Sequence, residues 1–236
     1  TFLSTGLTRF PLEGYKEHCN TKTVVGSRYA STPLVLDTPI YISGMSYGAL
    51  SANAKTALGR AAAMAGTASC TGDGGMLQSE RDASDKLIYQ VLPSRYGLNP
   101  RHMVKAQAIE IVVGQGAKPG TGGMLMGVKV LDEIAEMRDL PQGIDQRSPA
   151  RHPDWLGPDD LAMKIEQLRE ATDWQIPIHV KLGACRVDDD VKLAAKAGAD
   201  AVVIDSMVAG TGASAEVLLD HSGIPTVPAI VMAREA

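Results

Sequence analysis

The residues best suited to chemistry in this sequence stand in glycine-rich loops that follow short apolar runs. The richest loop covers residues 114–123, GQGAKPGTGG, where five glycines accompany Lys118 and no bulky apolar side chain occurs. Backbone amides and an ammonium group that converge in such a loop form a binding site for an anion. The loop lacks the Gly-Lys-Ser/Thr ending of a Walker A motif. We therefore predict a functional anion-binding loop, with a simple spacer as the alternative.

Three other loops contain small polar residues directly after predicted strands. The loop after the first strand begins with Ser43, Gly44, Met45 and Ser46. Its amides and hydroxyls could approach a flat ligand closely, and a plain βα turn is the alternative. In the next loop, Asp73 stands between glycines and could hold an amine or cap a helix. The third loop contains Asp205, Ser206, Gly210, Thr211 and Gly212. It is suited to binding phosphate or carboxylate because a predicted helix starts beside it.

Lys181 stands near the end of an otherwise apolar run, residues 178–182. Burying an isolated ammonium group is costly, so this lysine must reach a site or have a partner. One interpretation is a cation that faces a ring or an anion, and another is a Schiff-base amine. A structural ion pair with Asp73 or Asp205 is the third interpretation.

Strands and helices that would position these loops alternate along the chain. Near-continuous apolar runs are typical of parallel strands that are covered on both faces. The strands are predicted at residues 39–43, 67–71, 87–92, 108–113, 178–182 and 201–204. The helices are predicted at residues 52–65, from 99, from 157, at 188–197, at 213–221 and at 229–236.

This alternation allows a doubly wound sheet or an eight-stranded (β/α)8 TIM-type barrel. No Gly-x-Gly-x-x-Gly follows the first strand, and no acidic residue ends the second, so a nucleotide-binding doubly wound fold is disfavoured. We predict an α/β barrel over residues 39–236 that contains about six of the eight strand–helix units. Residues 1–38 are predicted to be an N-terminal arm, and residues 124–158 an excursion too long for an ordinary connection.

Composition excludes several classes of function. Twenty-three basic and 27 acidic residues leave a net charge of −4, without the basic stripe of a nucleic-acid or membrane-surface protein. The three cysteines lie far apart and predict neither disulfides nor a zinc site, which favours the cytoplasm. The five histidines show no triad or metal spacing; His152 is expected at the surface, with a position at the barrel mouth as the alternative.

Four co-linear strings resemble the FMN-binding synthase domain of the glutamate synthase family. They are residues 44–51 (GMSYGALS), 72–75 (GDGG), 94–97 (SRYG) and 114–123. The resemblance implies FMN above the barrel, with reduced flavin delivering hydride to 2-iminoglutarate formed from 2-oxoglutarate and ammonia. It also implies partners, namely an amidotransferase subunit and an electron donor. An iron–sulfur cluster would then lie beyond residue 236 or in a partner.

The same resemblance implies roles for individual residues. Lys118 and Arg138 would hold the oxo-acid beside Gly122 and Gly123, and Lys118 and Asp73 are the expected catalytic residues. The residues expected to bind FMN are Ser43, Gly44, Met45, Ser46, Gln115, Lys181, Asp205, Ser206, Gly210, Thr211 and Gly212. No metal ligands are expected.

The sequence also departs from the family pattern. Met76 and Met124 stand where the family has a glutamate and a glutamine that help to bind the oxo-acid. Thr1 is not the cysteine nucleophile of an amidotransferase domain, so ammonia is expected from a partner or from solvent. Residues 143–148 and 151–155 look like the flavin subunit of N-methylglutamate synthase, which makes its product from glutamate and methylamine. The further alternatives are an inactive assembly subunit and an aldolase-type barrel that uses Lys181.

Overall fold

The first elements of the chain form a hairpin where the sequence predicts an arm. A computed structural model describes residues 6–10 and 13–236, so residues 1–5, 11 and 12 of that arm lie outside the described part. Strands β1 (Thr23–Val25) and β2 (Leu34–Leu36) pair antiparallel. This segment of the predicted arm is therefore more ordered than its weak sequence pattern indicates, because Leu34 and Leu36 are buried by contacts with distant strands.

The later elements include most of the predicted strands and helices, together with short elements at residues 78–83, 124–125, 132–138 and 146–147 that the sequence pattern does not predict. They are α1 (Ala52–Met64), β3 (Ser69–Cys70), α2 (Gln78–Ala83), β4 (Leu87–Val91), α3 (Pro100–Met103), β5 (Ala108–Val112), β6 (Met124–Leu125), α4 (Asp132–Arg138), β7 (Gln146–Arg147), α5 (Pro158–Ala171), β8 (Ile178–Gly183), α6 (Val187–Lys196), β9 (Ala201–Asp205), α7 (Glu216–His221) and α8 (Thr226–Glu235).

The strands of the main sheet follow one another in a single order, without a reversal. Its five strands are parallel and neighbour one another in chain order, β3-β4-β5-β8-β9. A doubly wound sheet instead reverses its strand order at a switch point. This order confirms the predicted barrel-type fold, with the sheet forming part of a (β/α) barrel.

The first predicted strand is much shorter than expected. Of residues 39–43, only Ile42 pairs with the sheet, through an isolated parallel bridge to Ser69. Pro39 has no N–H to donate to a ladder, and Ile40 is exposed. The segment therefore takes the position of a first barrel strand without forming a regular one.

The two faces of the sheet differ in character. Outward-facing residues such as Ile109, Ile111 and Val180 pack against the helices in the largest apolar cluster. On the other face, Leu34 and Leu36 of the hairpin cover apolar residues at the amino ends of the strands. Polar side chains follow towards the carboxyl ends, and they include Gln90, Glu110, His179, Lys181 and Asp205. The sheet thus presents a polar surface at the end where barrel sites lie.

Side-chain caps mark the amino ends of α1 and α3. The Ser51 hydroxyl accepts a 3.2 Å hydrogen bond from the Ala54 amide, and the Asn99 side chain accepts one of 2.9 Å from the Arg101 amide. Helix α7 begins at Glu216, three residues later than predicted.

Within residues 6–10 and 13–236, no helix has both the length and the apolar character needed to cross a bilayer.

The predicted excursion is a small folded insertion. Strands β6 and β7 pair antiparallel, and α4 lies between them in the chain. Leu125, Val130 and Ile134 form a separate apolar cluster within it. The insertion therefore has its own small core beside the barrel sheet.

Candidate active site

A cleft of about 360 Å³ lies at the carboxyl ends of the main-sheet strands. Loops after the Ile42 bridge and after β3, β4, β5 and β9 form its walls, together with residues 148–150 of the insertion. This is the end at which parallel barrels carry their sites. The predicted site residues that line the cleft are Gly44, Met45, Ser46, Asp73, Gln115, Lys118, Gly122, Gly123, Arg138, Gly210, Thr211 and Gly212.

Glycines allow the loop after β5 to lie directly against its neighbours. A Cβ on Gly116 would lie 2.1 Å from the Asp205 carbonyl oxygen, and one on Gly122 would lie 1.9 Å from that of Ser148. The Gly116 amide also donates a 2.8 Å hydrogen bond to Oδ2 of Asp205. Backbone contact therefore fixes the loop between β9 and the insertion.

Lys118 supplies positive charge to the cleft. The residue is only 9% exposed, and its Nζ has no hydrogen bond or ion pair with any of the described residues. Burial lowers the pKa of this ammonium group, while the charges of Asp73 and Asp205 oppose that effect. Because a buried cation needs a counter-charge, the cleft is suited to an anionic ligand.

Asp73 faces Lys118 across the same cleft. The Tyr96 hydroxyl donates a 3.2 Å hydrogen bond to its Oδ2, and Oδ1 is buried without a partner among the described residues. Burial raises the pKa of Asp73, although Arg138 and Lys118 act in the opposite direction. The free oxygen is therefore able to hold a proton at a higher pH than an ordinary aspartate.

Arg138 lies at the back of the cleft. It is 2% exposed, and its guanidinium donates to Oε1 of Gln146 at 3.1 Å and to the Tyr47 carbonyl at 3.0 Å. The guanidinium also lies 5.0 Å from the centre of the Tyr96 ring. These contacts hold parts of the protein together, and the expected role of Arg138 in binding the substrate stays a prediction.

The remaining predicted residues lie beside or behind the cleft lining. Lys181 pairs with Oδ1 of Asp205 at 3.1 Å and is 4% exposed, so the ion-pair interpretation of this lysine is the observed one. This pairing leaves the Schiff-base interpretation without an accessible amine. Ser206 is buried and shares a 2.7 Å hydrogen bond with Thr226. Ser43 is exposed beside the cleft.

Two buried polar pairs near the cleft escaped sequence analysis. Lys55 and Glu80 form a 2.7 Å ion pair, and the Gln90 amide donates a 2.7 Å hydrogen bond to Glu110. A signal for Lys55 exists, because Gly59 shares its buried helix face one turn away. No local pattern identifies Glu80 as its partner, since that contact joins two separate helices.

His152 is buried, so its expected surface position is wrong. Its ring is 2% exposed, stacks on Trp155 at 4.0 Å, and its Nε2 lies 2.9 Å from the Val112 carbonyl. The physical reason is that the carbonyl at the end of β5 needs a partner where the strand ladder stops. Burial lowers the pKa of His152, which favours a neutral ring.

Strand order and cleft together define a parallel α/β-barrel domain with a polar site at the carboxyl ends of its strands. The chain belongs to the glutamate synthase family, because the family described as a conserved region in glutamate synthase matches residues 10–236. The glycine loops that form the cleft lie within that match.

Individual relatives agree with this assignment. The chain is 57% identical over 235 residues to a glutamate synthase large subunit-like protein of Rhizobium meliloti, covering 100% of this chain and 53% of the relative. It is 46% identical over 198 residues to the archaeal glutamate synthase [NADPH] of Methanocaldococcus jannaschii, covering 84% of this chain and 39% of that protein. The chain thus spans about half or less of these relatives.

Solved structures with a similar arrangement include a mandelate oxidase with 3,3-difluoro-2-hydroxy-3-phenylpropionic acid. Its TM-score is 0.47 at 20% identity, over 78% of this chain and 50% of the oxidase. The fold assignment rests on the strand order described above.

Proposed function

We propose that this domain binds FMN in the cleft and takes part in the reductive amination of 2-oxoglutarate to glutamate. The observation that carries the proposal is the largely buried Lys118 side chain, which lines the cleft and whose ammonium group lacks a partner among the described residues. A substrate carboxylate would complete this ion pair. Membership of the glutamate synthase family supports the choice of reaction.

The polar groups of the cleft fit a flavin ring. Oε1 of Gln115 is buried without a partner and can accept a hydrogen bond. Within residues 6–10 and 13–236, no acceptor is bonded to the Met45 or Ser46 amide, so both can donate. A flat ring with donors and acceptors along its edge matches this set. Bound there, FMN would supply hydride to the carbon that becomes the α-carbon of glutamate.

The protein's own groups would bind the substrate and move its protons. Ammonia and the 2-oxo group combine to an imine with loss of water, and hydride plus one proton then complete the amino acid. Lys118 would hold a carboxylate of the substrate. Oδ1 of Asp73 would carry the proton for the imine nitrogen, while Tyr96 fixes the other carboxylate oxygen. Arg138 would stabilise this arrangement from behind through the Tyr47 carbonyl.

Ammonia and electrons would come from other parts of the enzyme. We propose an amidotransferase and an electron-donor unit as partners, a choice that membership of the glutamate synthase family supports. Product analysis with ammonia and 2-oxoglutarate, compared with methylamine and glutamate, would identify the amine that is used.

The proposal is tested on the full-length protein with added FMN. We expect flavin absorbance to co-elute with the protein and 2-oxoglutarate to perturb that absorbance. Lys118→Met should weaken the 2-oxoglutarate effect about 10- to 100-fold, as expected for a lost charged hydrogen bond. The exposed Lys105 provides the control Lys105→Met, which should bind normally. A protein that retains no FMN, or a Lys118 variant with unchanged binding, would contradict the proposal.

A further inference from the structure

Lys55 is a buried cation behind the cleft that has no part in the proposed chemistry. Helix α1 buries one face, on which Lys55, Gly59 and Ala62 lie, and Lys55 is 2% exposed. Burying an ammonium group is costly unless its hydrogens are bonded. The contacts of this side chain therefore show what it stabilises.

The Lys55 ammonium group has an acceptor for each of its three hydrogens. Its Nζ lies 2.8 Å from the Met45 carbonyl, 2.6 Å from the Thr71 carbonyl and 2.7 Å from Oε1 of Glu80. An ammonium group has three donors, so this set uses its full bonding capacity. Met45 and Thr71 belong to two different loops at the cleft, and Glu80 belongs to α2.

Arg138 bridges the same two loops at a second point. Its Nη2 donates to the Tyr47 carbonyl at 3.0 Å and lies 3.5 Å from the Asp73 carbonyl. Each of these carbonyls lies two residues beyond one that Lys55 binds. Two buried cations thus join residues 45–47 to residues 71–73 from behind.

The joined backbone segments lie in direct contact. A Cβ on Gly72 would lie 2.5 Å from both the Met45 carbonyl carbon and the Ser46 nitrogen. In the described part of the chain, no backbone hydrogen bond joins residues 44–47 to residues 71–75 directly. Side-chain cations therefore take the place of a strand ladder at this point.

We propose that Lys55 and Glu80 form a positioning pair, which fixes the backbone of residues 45 and 46 where it lines the cleft and would contact the ligand. Lys55 binds the Met45 carbonyl from behind, and Glu80 neutralises the buried charge. Neither side chain lines the cleft, so neither is a catalytic residue. The inference rests on the proposed function for the identity of the ligand, FMN.

Removing both charges separates positioning from simple stability. Lys55→Met alone leaves Glu80 buried without a partner and should destabilise the fold. The double variant Lys55→Met/Glu80→Met removes both charges and is expected to regain stability, but its Met45 and Thr71 carbonyls stay unbridged. Lys86→Met is the control, because Lys86 donates a 2.8 Å hydrogen bond to the Gly66 carbonyl at the opposite end of the sheet.

Hydrogen–deuterium exchange of residues 43–50 and the FMN dissociation constant are measured on the full-length protein. In the double variant we expect exchange about tenfold faster and FMN binding about tenfold weaker, with neither changed in the control. Wild-type exchange and FMN affinity in a stable double variant would overturn the inference. If the wild-type protein binds no FMN, the proposed function fails, and the exchange of residues 43–50 alone decides the inference.

Discussion

The Tyr96 hydroxyl donates a 3.2 Å hydrogen bond to one oxygen of Asp73 and leaves the other oxygen, Oδ1, without a partner in the described part of the chain. Burial is the main cause of the raised pKa of Asp73, and the Tyr96 bond is one of the interactions that oppose it. The two residues come from successive loops of the sheet. Tyr96 thus fixes the orientation of the carboxylate, while burial and the charges of Arg138 and Lys118 have the larger effects on its pKa.

Tyr96→Phe should raise the pKa of Asp73 further, because it removes a bond to the ionised carboxylate. If protonated Asp73 is the acid, the alkaline limit of kcat/KM for the 2-oxo acid should move to higher pH. The free energy of unfolding should fall by about 1–2 kcal/mol. Tyr15→Phe is the control, since Tyr15 is exposed. A pH profile equal to that of the wild type would remove Asp73 from this role.

Gly116→Ala should disrupt the cleft, whereas Gly114→Ala should be tolerated. A Cβ at position 116 would lie 2.1 Å from the Asp205 carbonyl oxygen, but one at position 114 would meet only the Gly183 nitrogen, at 3.8 Å. Overpacking of this kind costs about 1–3 kcal/mol. Chemical denaturation measures the cost, and FMN retention reports the displaced loop. Equal losses in both variants would contradict the geometry described for this loop.

His179 should make stability depend on pH. Burial lowers its pKa to about 4, from 6.5, and neither ring nitrogen has a partner among the described residues. Below pH 6.5 the unfolded state takes up a proton that the folded state does not, so stability is lost as pH falls. The histidine should reduce the free energy of unfolding by about 2 kcal/mol between pH 7.5 and 5.

Urea denaturation of the wild type and of His179→Leu at both pH values isolates this effect. Other groups titrate in both proteins and cancel in the difference. The stability of the variant relative to the wild type should therefore improve by about 2 kcal/mol at the lower pH. A difference that does not change with pH would show that His179 is protonated in the folded protein.

His152→Leu should loosen the insertion from the sheet. The change leaves the Val112 carbonyl without the 2.9 Å contact to Nε2 and removes the stacking on Trp155. An unsatisfied buried acceptor costs about 1–3 kcal/mol. Limited proteolysis within residues 124–158 should become faster. Arg151→Ala is the control, because Arg151 is the exposed neighbour of His152, and it should leave the proteolysis rate unchanged. If the proteolysis rate of His152→Leu equals that of the wild type, the contact between His152 and Val112 does not hold the insertion against the sheet.

Strands of the main sheet could be predicted because burial on both faces demands apolar runs. The predicted strand at 108–113 differs from the observed Ala108–Val112 by one residue. The hairpin was missed because its strands have three residues each, and Leu34 is buried by residues such as Ile88 and Ala108 that lie far along the chain. The hydrophobic pattern of a short segment does not show contacts with residues that lie far along the chain.

The loops of the site were predictable for a different reason. Glycine, lysine and aspartate at the ends of strands indicate a binding edge in a parallel barrel, so the sequence predicts a position at the cleft for Lys118 and Asp73, and both line it. The orientation of each side chain in the site could not be predicted from the sequence. The sequence does not show that Arg138 binds the Tyr47 carbonyl or that Lys181 pairs with Asp205, because both contacts join residues far apart in the chain.

The insertion between β5 and β8 leaves the barrel and returns to it at nearly the same point. The Ser148 amide donates a 2.9 Å hydrogen bond to the Gly123 carbonyl, and Gly122 touches the Ser148 backbone. Because these two ends lie in contact, the residues between them form a closed segment beside the sheet. Residues 148–150 line the cleft and Arg138 binds the Tyr47 carbonyl, so this one segment supplies a wall of the site and also supports the loop opposite it.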